Sequence, residues 1–343
     1  MPSPAAPISA PTAQSAAFQT INRAYGSVFR PNRLSLGLVV PIESYPDGPV
    51  PSLDQHLERA QLAEKLGFAA VWLRDVPFNV PSFGDAGQTF DPFVYLGYLA
   101  ARTDDIALGV ASIILPLRHP AHVAKAAASV DVLSGGRVLL GVASGDRPQE
   151  YPALNVPFED RGELFRASLD YMQDRWKPGR PLDNRSNHPF GRPSEDMELL
   201  PRPTAGTLPL LITGSSRQAP DWIARYGHGW MTYPRGLPVQ ARVLDDWRVR
   251  VEAAGGPAKP VMQPLYVDLV ANPDAPPRGI HLGFRSGVRA LRAYLHALEE
   301  IGVHHVAINL RFNQANIETT MKRLADELLP DFNTRDSALK DLP

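Results

Sequence analysis

Short, almost uninterrupted apolar runs recur along the chain, and between them the apolar positions change to helical spacing. Eight runs stand out, at residues 34–40, 70–73, 106–115, 138–143, 208–213, 229–232, 262–270 and 305–309. Continuous rather than alternating apolarity marks parallel strands that helices cover on both faces. The intervening segments carry helix signals. Ser52 precedes Leu57, Ala60, Ala63 and Leu66 and a Gly67 stop, while Pro120 opens a segment with Ala127, Val130 and Leu133 that ends at Gly135 and Gly136. Later segments place Leu291, Leu295 and Leu298 before Gly302, then Ile317, Met321, Leu324 and Leu328 on one face. Eight alternations predict an α/β chain folded as a (β/α)8 TIM barrel, whose reactive face is built by the loops that follow the strands. A doubly wound sheet is the alternative. Residues 22–30 are expected to form a short surface helix.

Two connections, 178–207 and 272–287, are long and rich in Pro, Gly, Arg or Asn, and are expected to be lid insertions after strands four and seven. Neither is apolar enough for a separate domain. The expected organisation is a tail and short helix at 1–30, one barrel at 31–332, and a tail at 333–343. The 343 residues suffice for one such barrel or for two ordinary domains. With 35 basic and 36 acidic side chains there is no electrostatic reason to expect nucleic acid or an anionic membrane as partner. The absence of cysteine excludes thiolate catalysis and zinc–thiolate sites. No apolar run approaches the ~20 residues that span a bilayer, and the Ala-, Pro- and Ser-rich start has no secretion-signal pattern, so a cytoplasmic protein is expected.

The best candidate for chemistry lies where strands three and four end. Ala111, Ser112, Ala143, Ser144 and Gly145 are small enough to let a flat ring approach the backbone. Gly214, Ser215 and Ser216 follow a buried strand and precede a helix, which suits a phosphate or a plain serine cap. Asp75 closes strand two, where a catalytic or orienting carboxylate would face the mouth; it also stands beside Arg74, with which it would pair. Asp146, Arg147 and Glu150 suit either a surface ion-pair cluster or, through Arg147, an anion partner, and Tyr151 offers a stacking wall. FGDAGQTFDP, with Gly84, Gly87 and Gln88, reads as a site wall or as a Gly-rich turn. His119 and His122 sit at a helix start, which favours capping and packing over zinc, and His304 and His305 would point to opposite faces of a strand. No metal is expected.

Several motifs, in this order and spacing, resemble the bacterial luciferase-like flavin-dependent monooxygenases over residues 33–330. They are AEKLGFAAVWLRD, LGVASIILPLRHP followed by SVDVLSGGRVLLGVASGD, and LLITGSSRQAPDWIARYGHGW. VWLRDVPF, FGDAGQTFDP and SGDRPQEYPAL are similar to an uncharacterised luciferase-type oxidoreductase subgroup, which implies no substrate. The resemblance implies a barrel that uses reduced FMN, delivered by a separate flavin reductase, and O2 to oxygenate a small organic substrate, as a homodimer. A deazaflavin-dependent oxidoreductase on the same fold, or a non-catalytic flavin-binding barrel, is the alternative. It further implies a cis peptide between Ala111 and Ser112 against the flavin ring, and a flavin phosphate held by Gly214, Ser215 and Ser216. Ser144, Gly145 and Tyr151 would line the rim. The family carries a histidine directly after the acid that matches Asp75, whereas this chain has Val76. Asp75 or Arg74 would then take over part of the proton handling.

Overall fold

The computed structural model describes residues 17–178, 189–191 and 197–332. Among these are ten strands: β1 (Ser35–Val39), β2 (Ala70–Leu73), β3 (Ala107–Ile114), β4 (Val138–Ala143), β5 (Leu210–Thr213), β6 (Gly229–Met231), β7 (Val261–Leu269), β8 (Arg278–Ile280), β9 (Gly283–Ser286) and β10 (His305–Asn309). Each of β1 to β7 pairs in parallel with its neighbour, and β10 pairs with both β7 and β1, so eight strands close a parallel barrel. The helices are α1 (Arg23–Val28), α2 (His56–Leu66), α3 (Pro92–Ala100), α4 (Pro120–Leu133), α5 (Glu150–Ala153), α6 (Arg161–Trp176), α7 (Pro220–Tyr226), α8 (Leu237–Ala253), α9 (Val288–Ile301) and α10 (Ile317–Phe332). The predicted strands and the (β/α)8 TIM barrel are therefore observed.

Two apolar clusters divide the core. One lies between strands and helices and includes Leu36, Leu38, Val71 and Leu73. The other fills the barrel and includes Val39, Trp72, Leu139, Leu211 and Met262. Along β2 the side chains thus alternate, with Trp72 inward and Leu73 outward. A Cβ on Gly109 would lie 2.2 Å from Trp72 Cε3, so glycine is what lets the indole lie across the barrel. Trp72 Nε1 donates to His305 Nε2 at 2.8 Å, His305 Nδ1 meets Ser35 Oγ at 2.6 Å, and Ser35 Oγ donates to the Val28 carbonyl at 2.8 Å. His305 is therefore a neutral, fully bonded core residue whose pKa burial pushes down to about 3. His304 points the other way and accepts the Val261 amide at 3.1 Å.

Residues 22–30 do not form a surface helix. Ala24, Tyr25, Val28 and Phe29 join the interior cluster, and Tyr25 Oη donates to the His228 carbonyl at 2.7 Å, so α1 plugs the N-terminal end of the barrel. Nor is 272–287 an irregular lid. It forms the β8–β9 hairpin, and β9 pairs in parallel with β7 over Tyr266–Leu269. Pro260 and Met262 face β6 through their carbonyls, and Tyr266 and Val270 face β9 through their amides, so β9 continues the edge that β6 occupies lower down. Of the other expected lid, residues 179–188 and 192–196 lie outside the described residues. Its C-terminal part lies along α4, where the Thr204 amide and hydroxyl donate to Asp131 Oδ2 at 2.8 and 2.7 Å.

Candidate functional site

The inward phase of Trp72 carries on to Arg74, which reaches the C-terminal mouth of the barrel. Arg74 Nη1 donates to Asp85 Oδ2 at 2.6 Å, and Arg311, just beyond β10, places Nη1 3.0 Å from the same oxygen. Asp85 Oδ1 accepts the Gly87 amide at 2.8 Å and the Tyr45 hydroxyl at 3.1 Å. Arg311 Nη2 also donates to the carbonyls of Gly84 and Gly48 at 2.7 and 3.1 Å. The FGDAGQTFDP loop is thus a wall of the mouth, pinned to the ends of β1, β2 and β10 by one carboxylate. Burial opposes ionisation of Asp85, but Arg74, the Gly87 amide and Arg311 outweigh it and hold its pKa below the ordinary value. Burial likewise opposes the charge on Arg74, and Asp85 more than offsets it. Reading the sequence missed Asp85; its only sequence signal is its place between two glycines.

Asp75 does not face the mouth. One residue beyond Arg74, it points outward, accepts the Ile114 amide at 3.1 Å, and pairs with Arg118 through Nε at 3.0 Å and Nη2 at 2.8 Å. Its partner is therefore Arg118 and not Arg74, and both of its oxygens are engaged. It anchors the end of β3 next to the mouth.

The floor of the mouth is formed by β3, β4 and β5. The Ala111–Ser112 peptide is cis, as the resemblance implies, and the β3–β4 register shifts between Val110 and Ile113. Ser112 Oγ is hydrogen-bonded to Thr213 Oγ1, linking β3 to β5 across the floor. Ser144 and Gly145 turn tightly after β4. A Cβ on Gly145, which has φ +75°, would lie 2.8 Å from both Ile114 Cγ2 and Tyr151 Oη. Tyr151 is not a stacking wall: it is fully buried, its hydroxyl donates to the Ser144 carbonyl, and it holds the turn from below. Arg147 and Glu150 do not form a surface cluster either. Both are buried and stand 3.9 Å apart, while Arg147 donates to the Asp85 carbonyl at 2.9 Å and stacks 4.2 Å from the Phe83 ring. Burial pushes the Glu150 carboxyl up to about 7.

After β5, Gly214 and Ser216 adopt φ +57° and +43°, and the intervening Ser215 does not enter that region. Arg217 follows at φ +60°, and a turn in which φ changes sign between successive residues can gather their amides into an anion-binding concavity. The Ser215 amide meets no acceptor among the described residues, and its exposed hydroxyl accepts the Arg217 amide at 3.4 Å. Two details differ from expectation. The following helix starts at Pro220 rather than at Ser216, because Pro at the first turn fixes its entry, and Ser216 Oγ is spent on the Thr213 carbonyl at 2.7 Å. The Gly214 amide donates to the Met231 carbonyl at 2.8 Å, so the amides of Ser215 and Ser216, not the Gly214 amide or the Ser216 hydroxyl, are what a phosphate would meet.

His119 caps α4, its Nδ1 accepting the Ala121 amide at 3.3 Å. Among the described residues no three His, Asp or Glu side chains come together as metal ligands, and no helix is long and apolar enough to cross a membrane. A separate cavity of about 660 Å³ lies beside α9 and α10. Its lining residues Arg289, Arg292 and Arg323 are paired with Asp274, Asp331 and Glu327. A floor of Ala111, Ala143 and Gly145 and an amide nest at the β5 end are the features a flavin-type ring with a phosphate tail needs, so the donor set fits such a group.

The luciferase-like monooxygenase family pattern matches residues 32–329. A Mycobacterium tuberculosis F420-dependent hydroxymycolic acid dehydrogenase is 28% identical over 206 residues, covering 59% of this chain and 55% of that protein. The oxygenase component of the flavin-dependent trigonelline monooxygenase of Acinetobacter baylyi is 30% identical over 127 residues, 36% of this chain and 34% of that protein. The 3,6-diketocamphane monooxygenase component from Pseudomonas putida, solved with FMN, superposes with a TM-score of 0.68 at 14% identity over 88% of this chain and 99% of that one. An F420-dependent secondary alcohol dehydrogenase does so at 0.71 and 16%, over 89% and 100%. These last two likenesses establish the barrel fold, and the match over residues 32–329 establishes that this chain is an enzyme of the luciferase-like monooxygenase family.

Proposed function

We propose that the protein is the oxygenase component of a two-component system, which binds reduced FMN supplied by a separate reductase and uses O2 to oxygenate a small organic substrate. The observation that carries this reading is the pairing of a small-residue floor, Ala111, Ala143 and Gly145, with the uncommitted amides of Ser215 and Ser216 in the turn after β5. The ring would lie on the floor and the phosphate in the nest. When bound, reduced flavin supplies the electrons that activate oxygen, and the protein supplies binding, orientation and shielding from water.

The chain's own residues divide this work. The Ser215 amide donates to the phosphate, and Tyr151 fixes the Ser144–Gly145 turn at the ring's edge. Asp85 closes the loop wall and limits water at the mouth. Asp75 serves as a positioning residue through Arg118 and Ile114, since neither of its oxygens is free to relay a proton. Val76 is apolar, so the histidine of the luciferases has no counterpart there.

A second reading is favoured by the 206-residue match to an F420-dependent dehydrogenase: a deazaflavin cofactor and hydride transfer without oxygen. An anaerobic titration with reduced FMN and reduced F420, followed by a pulse of oxygen, tests both. Tight binding of reduced FMN with oxygen-dependent reoxidation supports the monooxygenase. Selective binding of F420 and indifference to oxygen would replace it with the dehydrogenase.

A further inference from the structure

Arg74 is the one strongly charged side chain that the strand phase of β2 aims into the mouth, and its engagement is incomplete. Only Nη1 is used, on Asp85. Nε and Nη2, the other edge of the planar fork, meet no acceptor among the described residues, although the side chain is only 21% exposed. The edge is also held in place. Gly87, at φ +60°, lies over the guanidinium face, where an added Cβ would come within 3.2 Å of Nη1 and 3.3 Å of Cζ and Nε. With one face covered and one edge tied to Asp85, the fork cannot swing away to solvent.

The local charge does not balance. Three guanidiniums, those of Arg74, Arg311 and Arg147, stand against two buried carboxyls, Asp85 and the Glu150 group that burial pushes up to about 7, so positive charge is in excess, and the Arg311 guanidinium is further occupied by the Tyr45, Gly48 and Gly84 carbonyls. Asp75 neutralises none of them, because it belongs to Arg118. The phosphate nest does not use Arg74 either. It follows β5, three strands round the barrel from β2, with the floor between them.

We propose that the substrate carries an oxyanion group, a carboxylate or a sulfonate, which docks on the free Nε/Nη2 edge of Arg74 across the floor from the phosphate nest. This rests on the flavin reading above and gives Arg74 a specificity role in place of the catalytic one expected from sequence. A planar fork with one open edge matches two oxygens of an anionic head group bidentately, and such paired charge-assisted hydrogen bonds are the strong kind. A neutral carbonyl or alcohol would leave the excess charge unmatched, which is how the mouth discriminates.

The test is calorimetric titration of the FMN-loaded protein with benzoate, with hexanesulfonate, and with benzamide as the neutral isostere of benzoate. Benzoate and hexanesulfonate should bind at least ~10-fold more tightly than benzamide, with an affinity that falls as salt is added. Arg74→Gln should weaken both anions ~10- to 100-fold while leaving FMN and benzamide binding within about two-fold. Arg74→Lys keeps the charge near Asp85 without the fork and should recover only part of the anion affinity. Thermal melts of both variants verify that the fold is intact, and the lysine variant keeps the test decisive if the glutamine one unfolds. Equal binding of benzoate and benzamide to the wild type would overturn the proposal, as would an Arg74→Gln protein that loses FMN but retains benzoate. If neither FMN nor F420 binds, yet benzoate binding to the flavin-free protein still depends on Arg74, the cofactor reading fails and the oxyanion site stands.

Discussion

Asp85 is the most exposed point of the account to mutation, because a single carboxylate holds the mouth wall. Replacing it with alanine removes the 2.6 Å contact to Arg74, the 3.0 Å contact to Arg311, and the bonds from the Gly87 amide and the Tyr45 hydroxyl at once. Removing one partner of a fully buried ion pair costs about 3–5 kcal/mol, because the remaining charge is left uncompensated. Here the side chains of Asp85, Arg74 and Arg311 are 10%, 21% and 10% exposed. Water screens the orphaned guanidiniums in part, so the expected loss is about 2–4 kcal/mol. Asp85→Asn should cost nearly as much, since it removes the charge and its amide nitrogen must face either the two guanidiniums or the Gly87 amide, all of them donors. Adding Arg311→Leu to Asp85→Ala removes one orphaned charge and should restore part of the stability. The assay is urea unfolding of the wild type and the three variants followed by tryptophan fluorescence. The sign with pH follows from the depressed pKa of Asp85. Its stabilisation is fully present above the unfolded carboxylate pKa of about 3.9 and is lost as pH falls through the lower folded value, so wild type and Asp85→Asn should converge only in strong acid. A loss below about 0.5 kcal/mol for Asp85→Ala at pH 7, the size of an ordinary surface substitution, would refute the reasoning.

Two further outcomes follow from buried groups. The Glu150 carboxyl is raised from 4.5 to about 7 by burial. The folded state therefore holds a proton that the unfolded state has released, so stability falls as pH rises between those two values. Glu150→Gln should flatten that slope in urea titrations at pH 5, 6, 7 and 8, and an unchanged slope would show that Glu150 does not titrate there. Arg137 is 2% exposed and donates to the carbonyls of Ser134, Ile106, Ala100 and Thr103 and to Thr103 Oγ1, tying α3 and α4 beneath the barrel. Arg137→Met should cost about 3 kcal/mol or more by leaving these acceptors buried and unmet, read as a fall in melting temperature. A melting temperature equal to wild type would contradict that packing.

The strands and helix stops were legible in the sequence because apolar runs and Gly and Pro punctuation are local signals. The phase of β2 was not. Its four residues, AVWL, are all buried and apolar, as parallel barrel strands must be, so nothing in them tells which of Arg74 and Asp75 turns inward. The role of Asp85 was hidden for another reason: Arg311, one of its two cationic partners, lies far away in sequence and meets it only once the barrel closes. Residues 22–30 read as a surface helix because α1 has six residues, too few to show which face is apolar. The hairpin within 272–287 was masked by its Pro and Gly content, and β8 and β9 have only three and four residues.

The central claim is that a phosphate-bearing flavin sits on the Ala111–Gly145 floor with its phosphate in the nest around Ser215. The most direct measurement is a paired titration of FMN and riboflavin, which share the ring and differ in the phosphate, against the wild type and Ser215→Asp. The account predicts that the wild type binds FMN at least ~10-fold more tightly than riboflavin, and that a carboxylate at position 215 abolishes the difference while riboflavin binding is unchanged. Equal affinity of the wild type for the two flavins, or an FMN preference that survives Ser215→Asp, would contradict it.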